Sequence, residues 1–343
     1  MTGERIGIGL IGLGSINRAH IRGYQESRAL ARIAAVCDVR EAVATERATA
    51  LQCTRYREYL SLLQDPAVHA VDITLPHALH YKVAKAALEH GKHVLVEKPM
   101  AATSAECMEL ITLAQRSHLT FTVAENTRFV KAYMEAEKLV RDGTLGAPRL
   151  IRTFIYGSEY ERLVVSDDWI TRKSDAVGGV IIDCGAHSFY LLKWLYGDIA
   201  TVQAFQSTFV PQSEVEDYAS VHGVMQNGAN FSVEFTATAE VPWGERCEIY
   251  GSKGSLIIDQ VCNPVAIQYR GAKDFQGTPL PGVPFNLEDW KQQSIVDEVK
   301  DFVAAIAERR PPTIDPLHGY YSLKIVEAAY ASIAAAGRMV KVL

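Results

Sequence analysis

The first apolar run of the chain, Ile6 to Ile11, leads directly into Gly12-Leu13-Gly14-Ser15-Ile16-Asn17, after which Ala19, Ile21 and Tyr24 fall at helical spacing. Strand, glycine turn and helix in immediate succession is the context that a dinucleotide fingerprint requires. Gly12 allows the tight turn. Gly14 lets the backbone approach a pyrophosphate, which would rest on the amino end of the helix beside Ser15 and Ile16. Asn17 stands where a third glycine or alanine is usual. A glycine-rich turn of this kind also occurs with no ligand, so the rest of the chain has to decide.

Four more apolar runs follow: Ile33 to Val39, Val68 to Leu75, Val94 to Val96 and Leu119 to Ala124. Helical stretches separate them, at about Tyr56 to Leu63, at Leu79 to His90 before Gly91, and behind Ser104, a plausible N-cap for Met108, Ile111 and Leu113. This alternation predicts right-handed βαβ units in a doubly wound parallel sheet. The second run closes on Asp38, about twenty residues beyond the glycines, placed to accept from a ribose hydroxyl and to repel a ribose phosphate. NAD is therefore preferred, while Arg40, two residues on, keeps NADP open. The run Val94-Leu95-Val96 stops on Glu97-Lys98-Pro99, at the strand edge where open α/β sheets bind ligands. Pro99 fixes its own φ and restricts Lys98, so the ammonium is presented by a stiff backbone. A surface ion pair is the plain alternative.

At 343 residues the chain exceeds one ordinary core and fits two domains, here 1–126 and 127–343. With 48% hydrophobic and 22% charged residues and a net charge of −5 spread without like-charge runs, nothing points to nucleic acid or an anionic membrane. Cys37, Cys53, Cys107, Cys184, Cys247 and Cys262 are scattered singly. They read as reduced thiols, with no zinc or other metal site. The amino terminus lacks a secretory pattern and no apolar run reaches a membrane span, so a soluble cytoplasmic protein is expected.

In the second half, Val130 to Asp142 reads as a helix and Arg149 to Tyr156 as a strand, with Gly143 and Gly146-Ala147-Pro148 between. Gly157 to Gly178 is a long polar and aromatic loop carrying Tyr160, Trp169 and Arg172, and its length argues for a functional segment. If Asp183 to Tyr196 is helical, Asp183 and His187 lie one turn apart on one face. A carboxylate beside an imidazole orients it and favours its protonated form, which suits a proton carrier. An ordinary Asp and His pair has the same spacing. Strands then alternate with turns from Thr201 to Gln268, a mostly antiparallel sheet whose apolar outer face suits a dimer surface. A helix at about Ile295 to Glu308 ends at Pro311-Pro312, and another spans about Leu317 to Ala336.

Taken together, Gly12-x-Gly14 with His20, Asp38, Thr74-Leu75-Pro76 with His80, and Glu97-Lys98-Pro99 resemble the glucose-fructose oxidoreductase / inositol dehydrogenase / rhizopine catabolism (Gfo/Idh/MocA) family. Residues 56–100 follow that pattern almost continuously. Glu125-Asn126-Thr127-Arg128-Phe129 resembles the family's Asn-x-Arg-Phe step out of the nucleotide domain, and Gly178-Gly179-x-x-x-Asp183-x-Gly185-x-His187 matches the family's second motif at every position.

The resemblance implies a Rossmann domain followed by an α+β domain with a large antiparallel sheet. It also implies an NAD(P)-dependent oxidoreductase moving hydride between nicotinamide and a carbinol carbon of a sugar, inositol or related polyol. Lys98, Asp183 and His187 carry over as the catalytic set. The glycine turn with Ser15 and Ile16, the Asp38 and Arg40 pair, Thr74, Pro76, His77 and His80, and Glu97 with Lys98 would contact the cofactor. Asn126, Arg128, Tyr160, Trp169 and Arg172 would face the small-molecule substrate, and the C-terminal sheet would form a homodimer or homotetramer. Tyr190 departs from the aspartate many members carry there, which bears on substrate class. Two relatives' activities stay open: redox-neutral glycoside cleavage by transient oxidation, and non-catalytic sensing, against which the intact catalytic set counts.

Overall fold

The computed structural model describes residues 5–164, 168–259, 263–269, 278–279 and 287–342. The start of the chain and Cys262 lie outside them. Two compact units result, Met1–Asn126 with Gln292–Tyr320, and Thr127–Lys291 with Tyr321–Leu343. The chain passes from the first unit to the second after Asn126. The segment Gln292–Tyr320, assigned above to the second domain, instead returns to the first unit. Its helix explains why: Val299, Phe302 and Val303 pack into one core with Ile8, Leu10, Tyr24 and Leu95. Helical periodicity reveals an apolar face but not which core that face covers.

In the first unit the strands are β1 (Ile6–Ile11), β2 (Ala31–Cys37), β3 (Thr54–Tyr56), β4 (Ala70–Ile73), β5 (His93–Glu97) and β6 (Phe121–Ala124). They lie in the order β3-β2-β1-β4-β5-β6, and every pairing is parallel. The connecting helices are α1 (Asn17–Glu26), α2 (Glu41–Leu51), α3 (Tyr59–Leu63), α4 (His80–Glu89) and α5 (Ser104–Arg116). This is the doubly wound order, with its topological switch between β1 and β4.

Several boundaries differ from expectation. Tyr56 belongs to β3, not to a helix, and α3 starts at Tyr59. The sequence did not reveal α2 because its core-facing side is weakly marked: Ala44 alone is fully buried, with Val43, Ala48 and Leu51 only partly so. Ser104 is the first helical residue of α5. The N-cap is Thr103, whose hydroxyl accepts from Glu106 N while Glu106 returns a carboxylate oxygen to Thr103 N. Cys107, Leu110, Ile111 and Ala114 form the buried face, and Met108 points outward.

The second unit opens with α6 (Lys131–Arg141) and β7 (Pro148–Tyr156). The expected loop from Gly157 contains α7 (Tyr160–Leu163), a 3-10 turn at Trp169–Thr171 and α8 (Lys173–Ala176), followed by α9 (Val180–Asp183) and α10 (Gly185–Tyr196). Then come β8 (Ile199–Ser207), β9 (Tyr218–Met225), β10 (Asn230–Thr236), β11 (Gly244–Gly251), β12 (Gly254–Asp259), β13 (Asn263–Tyr269), β14 (Thr278–Pro279) and, after two helices, β15 (Val340–Lys341). Among the described residues they make a nine-stranded sheet, β14-β13-β12-β11-β7-β10-β9-β8-β15. It is antiparallel except where β7 and β10 pair in parallel at its centre. No described helix is long and apolar enough to cross a membrane.

Thr103→Ala removes one arm of the α5 capping box and frees the other. It is expected to cost about 1 kcal/mol in urea unfolding, with the slope of the transition unchanged.

Candidate active site

Gly12 sits at φ +89°, and a Cβ there would lie 2.4 Å from the Thr74 carbonyl oxygen. Only glycine lets the turn after β1 pass so close to the end of β4. Gly12 N donates to the Cys37 carbonyl at 2.9 Å, and the Thr74 hydroxyl donates to the Gly12 carbonyl at 2.7 Å. The turn is thus held between the ends of β2 and β4. A Cβ on Gly14 would meet nothing within 4 Å, leaving the open space over the backbone that a pyrophosphate needs. The N-cap of α1 is Ile16, which has no side-chain oxygen to satisfy the first-turn N–H groups, so they suit an anion. Asn17, in place of the third glycine, is buried with its amide 3.4 Å from the Thr74 hydroxyl. The turn and the helix end fit a dinucleotide.

Asp38 follows β2 directly and is buried. Its Oδ2 accepts from Leu13 N at 2.9 Å and Arg40 Nη2 at 2.7 Å, and its Oδ1 from Arg40 N and Nε. Burial pushes its pKa up, but the Arg40 guanidinium and the backbone N–H groups outweigh that and hold it below the ordinary value. The Arg40 fork is spent on this carboxylate.

Pro76 opens the 3-10 turn His77–Leu79. His77 and His80 meet edge to face at 5.7 Å. The His80 ring has Nδ1 2.7 Å from the Pro99 carbonyl and Nε2 2.7 Å from the Leu75 carbonyl. It ties the segment after β4 to the segment after β5. Burial pushes its pKa down despite these two acceptors.

At the end of β5, Glu97 Oε2 accepts the Lys98 backbone N–H at 2.9 Å. Its other oxygen lies 3.2 Å from His20 Nε2, and His20 Nδ1 lies 2.9 Å from Asp72 Oδ2. Burial pushes the Glu97 pKa up, and His20 and Lys98 pull it below the usual range. Sequence reading missed Asp72. The signal was there: a carboxylate inside the apolar run of β4, fully buried, must be paired.

In the second unit Asp183 ends α9 and His187 lies in the first turn of α10. The expected single helix is two, joined at Cys184, whose φ of −79° and ψ of −35° keep the chain helical. The Thr127 hydroxyl lies 3.4 Å from His187 Nδ1. Glu216, also unforeseen, starts α9: its carbonyl accepts from Val180 N at 3.0 Å and its Oε1 from Ile181 N at 3.1 Å. Tyr330 donates to that same Oε1 at 2.8 Å. A Cβ on Gly179 would lie 1.9 Å from the Glu216 carbonyl oxygen, so this glycine makes room for the contact that positions α9. Just before it Val177, a β-branched residue, sits at φ +69°, a strained conformation.

The proposed substrate residues are distributed. Asn126 donates to Ser294 Oγ at 2.8 Å within the first unit. In the second, the Arg128 guanidinium lies 4.2 Å from the Trp194 ring centre and 3.5 Å from Glu137. Trp194 also donates to Glu137 and neighbours Tyr190. Arg128 and Tyr190 therefore belong to a packed aromatic and ionic cluster. Tyr160 is exposed at the start of α7. Trp169 begins the 3-10 turn that Asp168 caps, and Arg172 pairs with Asp175 at 2.7 Å. Lys98 belongs to the first unit, Asp183 and His187 to the second.

A model of an oxidoreductase family with an NAD-binding Rossmann fold matches residues 6–125, and one of the GFO/IDH/MocA C-terminal domain matches residues 133–257. The chain belongs to the Gfo/Idh/MocA family. It is an oxidoreductase with that family's NAD-binding domain. Among Gfo/Idh/MocA relatives, it is 25% identical to the inositol 2-dehydrogenase/D-chiro-inositol 3-dehydrogenase of Lactiplantibacillus plantarum, over 96% of this chain and 91% of that one. It is 29% identical to the UDP-N-acetylglucosamine 3-dehydrogenase of Acidithiobacillus ferrooxidans, over 91% and 92%. The structure of a levoglucosan dehydrogenase in complex with NADH and levoglucosan superposes with a TM-score of 0.89 at 25% identity, covering 99% of this chain and all of that one.

Two substitutions test the local geometry around α9. Val177→Gly relieves the positive φ and is expected to stabilise the protein by about 1 kcal/mol in urea unfolding. Gly179→Ala is expected to lower the melting temperature, because the Glu216 backbone must move away.

Proposed function

We propose that this oxidoreductase oxidises a secondary hydroxyl of a cyclic polyol or sugar with NAD, and that Lys98, Asp183 and His187 are its catalytic set. The observation that carries this reading is Lys98 at the carboxyl end of β5, on the strand edge that also bears the Gly12 turn and Asp38. The named activities of the relatives, on inositol, levoglucosan and a nucleotide sugar, support a carbinol carbon as the reacting centre.

In this reading His187 takes the hydroxyl proton as general base. Lys98 hydrogen-bonds the same oxygen and stabilises the negative charge that develops as the proton leaves. Asp183 orients the imidazole or binds a neighbouring hydroxyl. The nicotinamide ring, when bound, supplies the hydride acceptor. Asp38 receives the ribose hydroxyls. With Arg40 already folded onto Asp38, NAD is favoured over NADP.

The test is reduced-nicotinamide absorbance on mixing purified protein with NAD or NADP and a panel of inositols, anhydrosugars, aldoses and nucleotide sugars. Reduction that depends on one polyol is expected, faster with NAD. Lys98→Ala should lower kcat by about 10²- to 10³-fold with NADH binding retained. Asp38→Ala, which frees Arg40, should narrow or reverse the preference between cofactors. NADH binding without turnover on any member of the panel would remove the dehydrogenase reading.

A further inference from the structure

Behind β5, in the first unit, lies a set of buried ionisable side chains to which the reaction above assigns no part. His20 and Tyr24 come from α1, Asp72 from β4, Glu125 from the segment after β6, and Glu298 from the helix Leu287–Glu308; none is more than 3% exposed. His20 bridges two of the acids, with Nδ1 2.9 Å from Asp72 Oδ2 and Nε2 3.2 Å from Glu97 Oε1. Glu97 then accepts the Lys98 amide through its remaining oxygen. A continuous path of hydrogen bonds therefore runs from a strand interior, through one imidazole, to the backbone of the lysine.

The second observation concerns Glu298. Both of its oxygens are buried without a hydrogen-bond partner. Its neighbours in charge are His20, Glu97, Glu125 and Asp72. A single imidazolium can serve Asp72 and Glu97, and a third ionised carboxylate beside them would be buried and unpaired at a cost of several kcal/mol. A neutral acid avoids that cost and leaves the imidazolium undivided between its two partners.

We propose that His20 is a positioning residue for Lys98: its charged ring spans Asp72 and Glu97 and so holds the carboxylate that anchors the Lys98 amide, with Glu298 kept as a neutral acid behind it. The inference rests on Lys98 being catalytic only for its consequence in turnover; its structural content stands apart from that reading. The titration directions agree. Burial alone would lower the His20 pKa, but the charges and hydrogen bonds of Asp72 and Glu97 raise it well above the ordinary value. Burial and the surrounding carboxylates of Glu97, Glu125 and Asp72 push Glu298 up, against the opposing pull of His20. The groups that act on this ring are Asp72, Glu97 and Glu298; Tyr24 acts on Asp72 and Glu298, Glu125 on Glu298, and Lys98 and His80 on Glu97. A histidine whose folded pKa is raised contributes stability fully below its unfolded value and loses it as pH climbs through the folded one. The support given to Lys98 therefore fails on the alkaline side.

The two amides that mimic histidine separate its arms. His20→Asn keeps a donor where Nδ1 stands and loses the arm to Glu97, whereas His20→Gln keeps a donor where Nε2 stands and loses the arm to Asp72. Residue-resolved amide exchange is measured for both on the full chain. In His20→Asn, Lys98 amide protection is expected to fall about tenfold, with Val94 and Leu95 amides in the same strand unchanged. His20→Gln is expected to restore most of the protection. On a polyol found by the panel, kcat should follow the same order with NADH affinity held. Equal loss in both variants, or loss spread evenly over the strand, would overturn the proposal. Where a variant does not fold, wild-type protein with 15N-labelled imidazoles decides. At about pH 8, above the usual histidine range, His20 should carry protons on both nitrogens, and a neutral ring would overturn the assignment. Glu298→Gln, an isostere of the neutral acid, should leave Lys98 protection as in wild type; altered protection overturns the part given to Glu298. An absence of turnover on every polyol sinks the proposed reaction alone, because the exchange and imidazole measurements use no substrate.

Discussion

A parallel sheet covered on both faces has no polar face, so every group that must meet a ligand is delivered to the ends of its strands. In the first unit Ala70, Val71 and Ile73 of β4 and Val94 to Val96 of β5 are completely buried. The polar residues that matter follow at the strand ends: Gly12 after β1, Asp38 after β2, Thr74 after β4, Glu97 and Lys98 at the end of β5. The same geometry explains why these positions hold one another. Thr74 braces the Gly12 turn, Asp38 accepts from Leu13 in that turn, and His80 joins the backbone after β4 to the backbone after β5. The strand edge is therefore rigid, with short distances fixed by backbone rather than by long side chains.

That edge is bought with buried charge. Asp72 interrupts an otherwise apolar strand, and a carboxylate there is tolerable only because His20 lies against it. The pair is not isolated, since the other nitrogen of the ring reaches Glu97. His80 faces the opposite demand: two carbonyls ask its nitrogens for two protons, while burial favours the neutral ring. One fully buried histidine with two carboxylates and another with two carbonyls thus sit on the same part of the sheet in different electrostatic circumstances. Only the first is hydrogen-bonded to carboxylates, which keep an imidazolium stable out of water.

The strands, the glycine turn, Asp38 at its strand end and the Glu97-Lys98-Pro99 stop were legible because each is a local pattern with a local cause. Asp38 is found by its place at a strand end, and Lys98 by the abrupt stop of an apolar run. What the sequence hid was set by contacts far along the chain. Nothing near residue 299 says that its helix covers the first core, yet Val299, Phe302 and Val303 do so. The helix α2 escaped because the face it packs on the core is made of small and partly buried residues, Val43, Ala44, Ala48 and Leu51. Arg128 matched a motif, but a motif does not say that Arg128 stacks on Trp194 beside Glu137.

The double glycine before Asp183 shows how a motif can be read for the wrong reason. By sequence it marks a loop ahead of a helix, and the chemistry is assigned to the Asp and His that follow. In the folded chain Gly179 has no room for a Cβ because the backbone of Glu216 lies against it. That backbone and its carboxylate accept the N–H groups of Val180 and Ile181. A helix of only four residues cannot hold itself in water, so α9 owes its direction to Glu216, and Glu216 owes its own orientation in part to Tyr330. The glycine, a glutamate 35 positions on from Ile181 and a tyrosine from the last helix therefore meet at the start of α9, the segment that leads to Asp183 and His187. Substitutions at these three positions should be read first as changes in where that helix points.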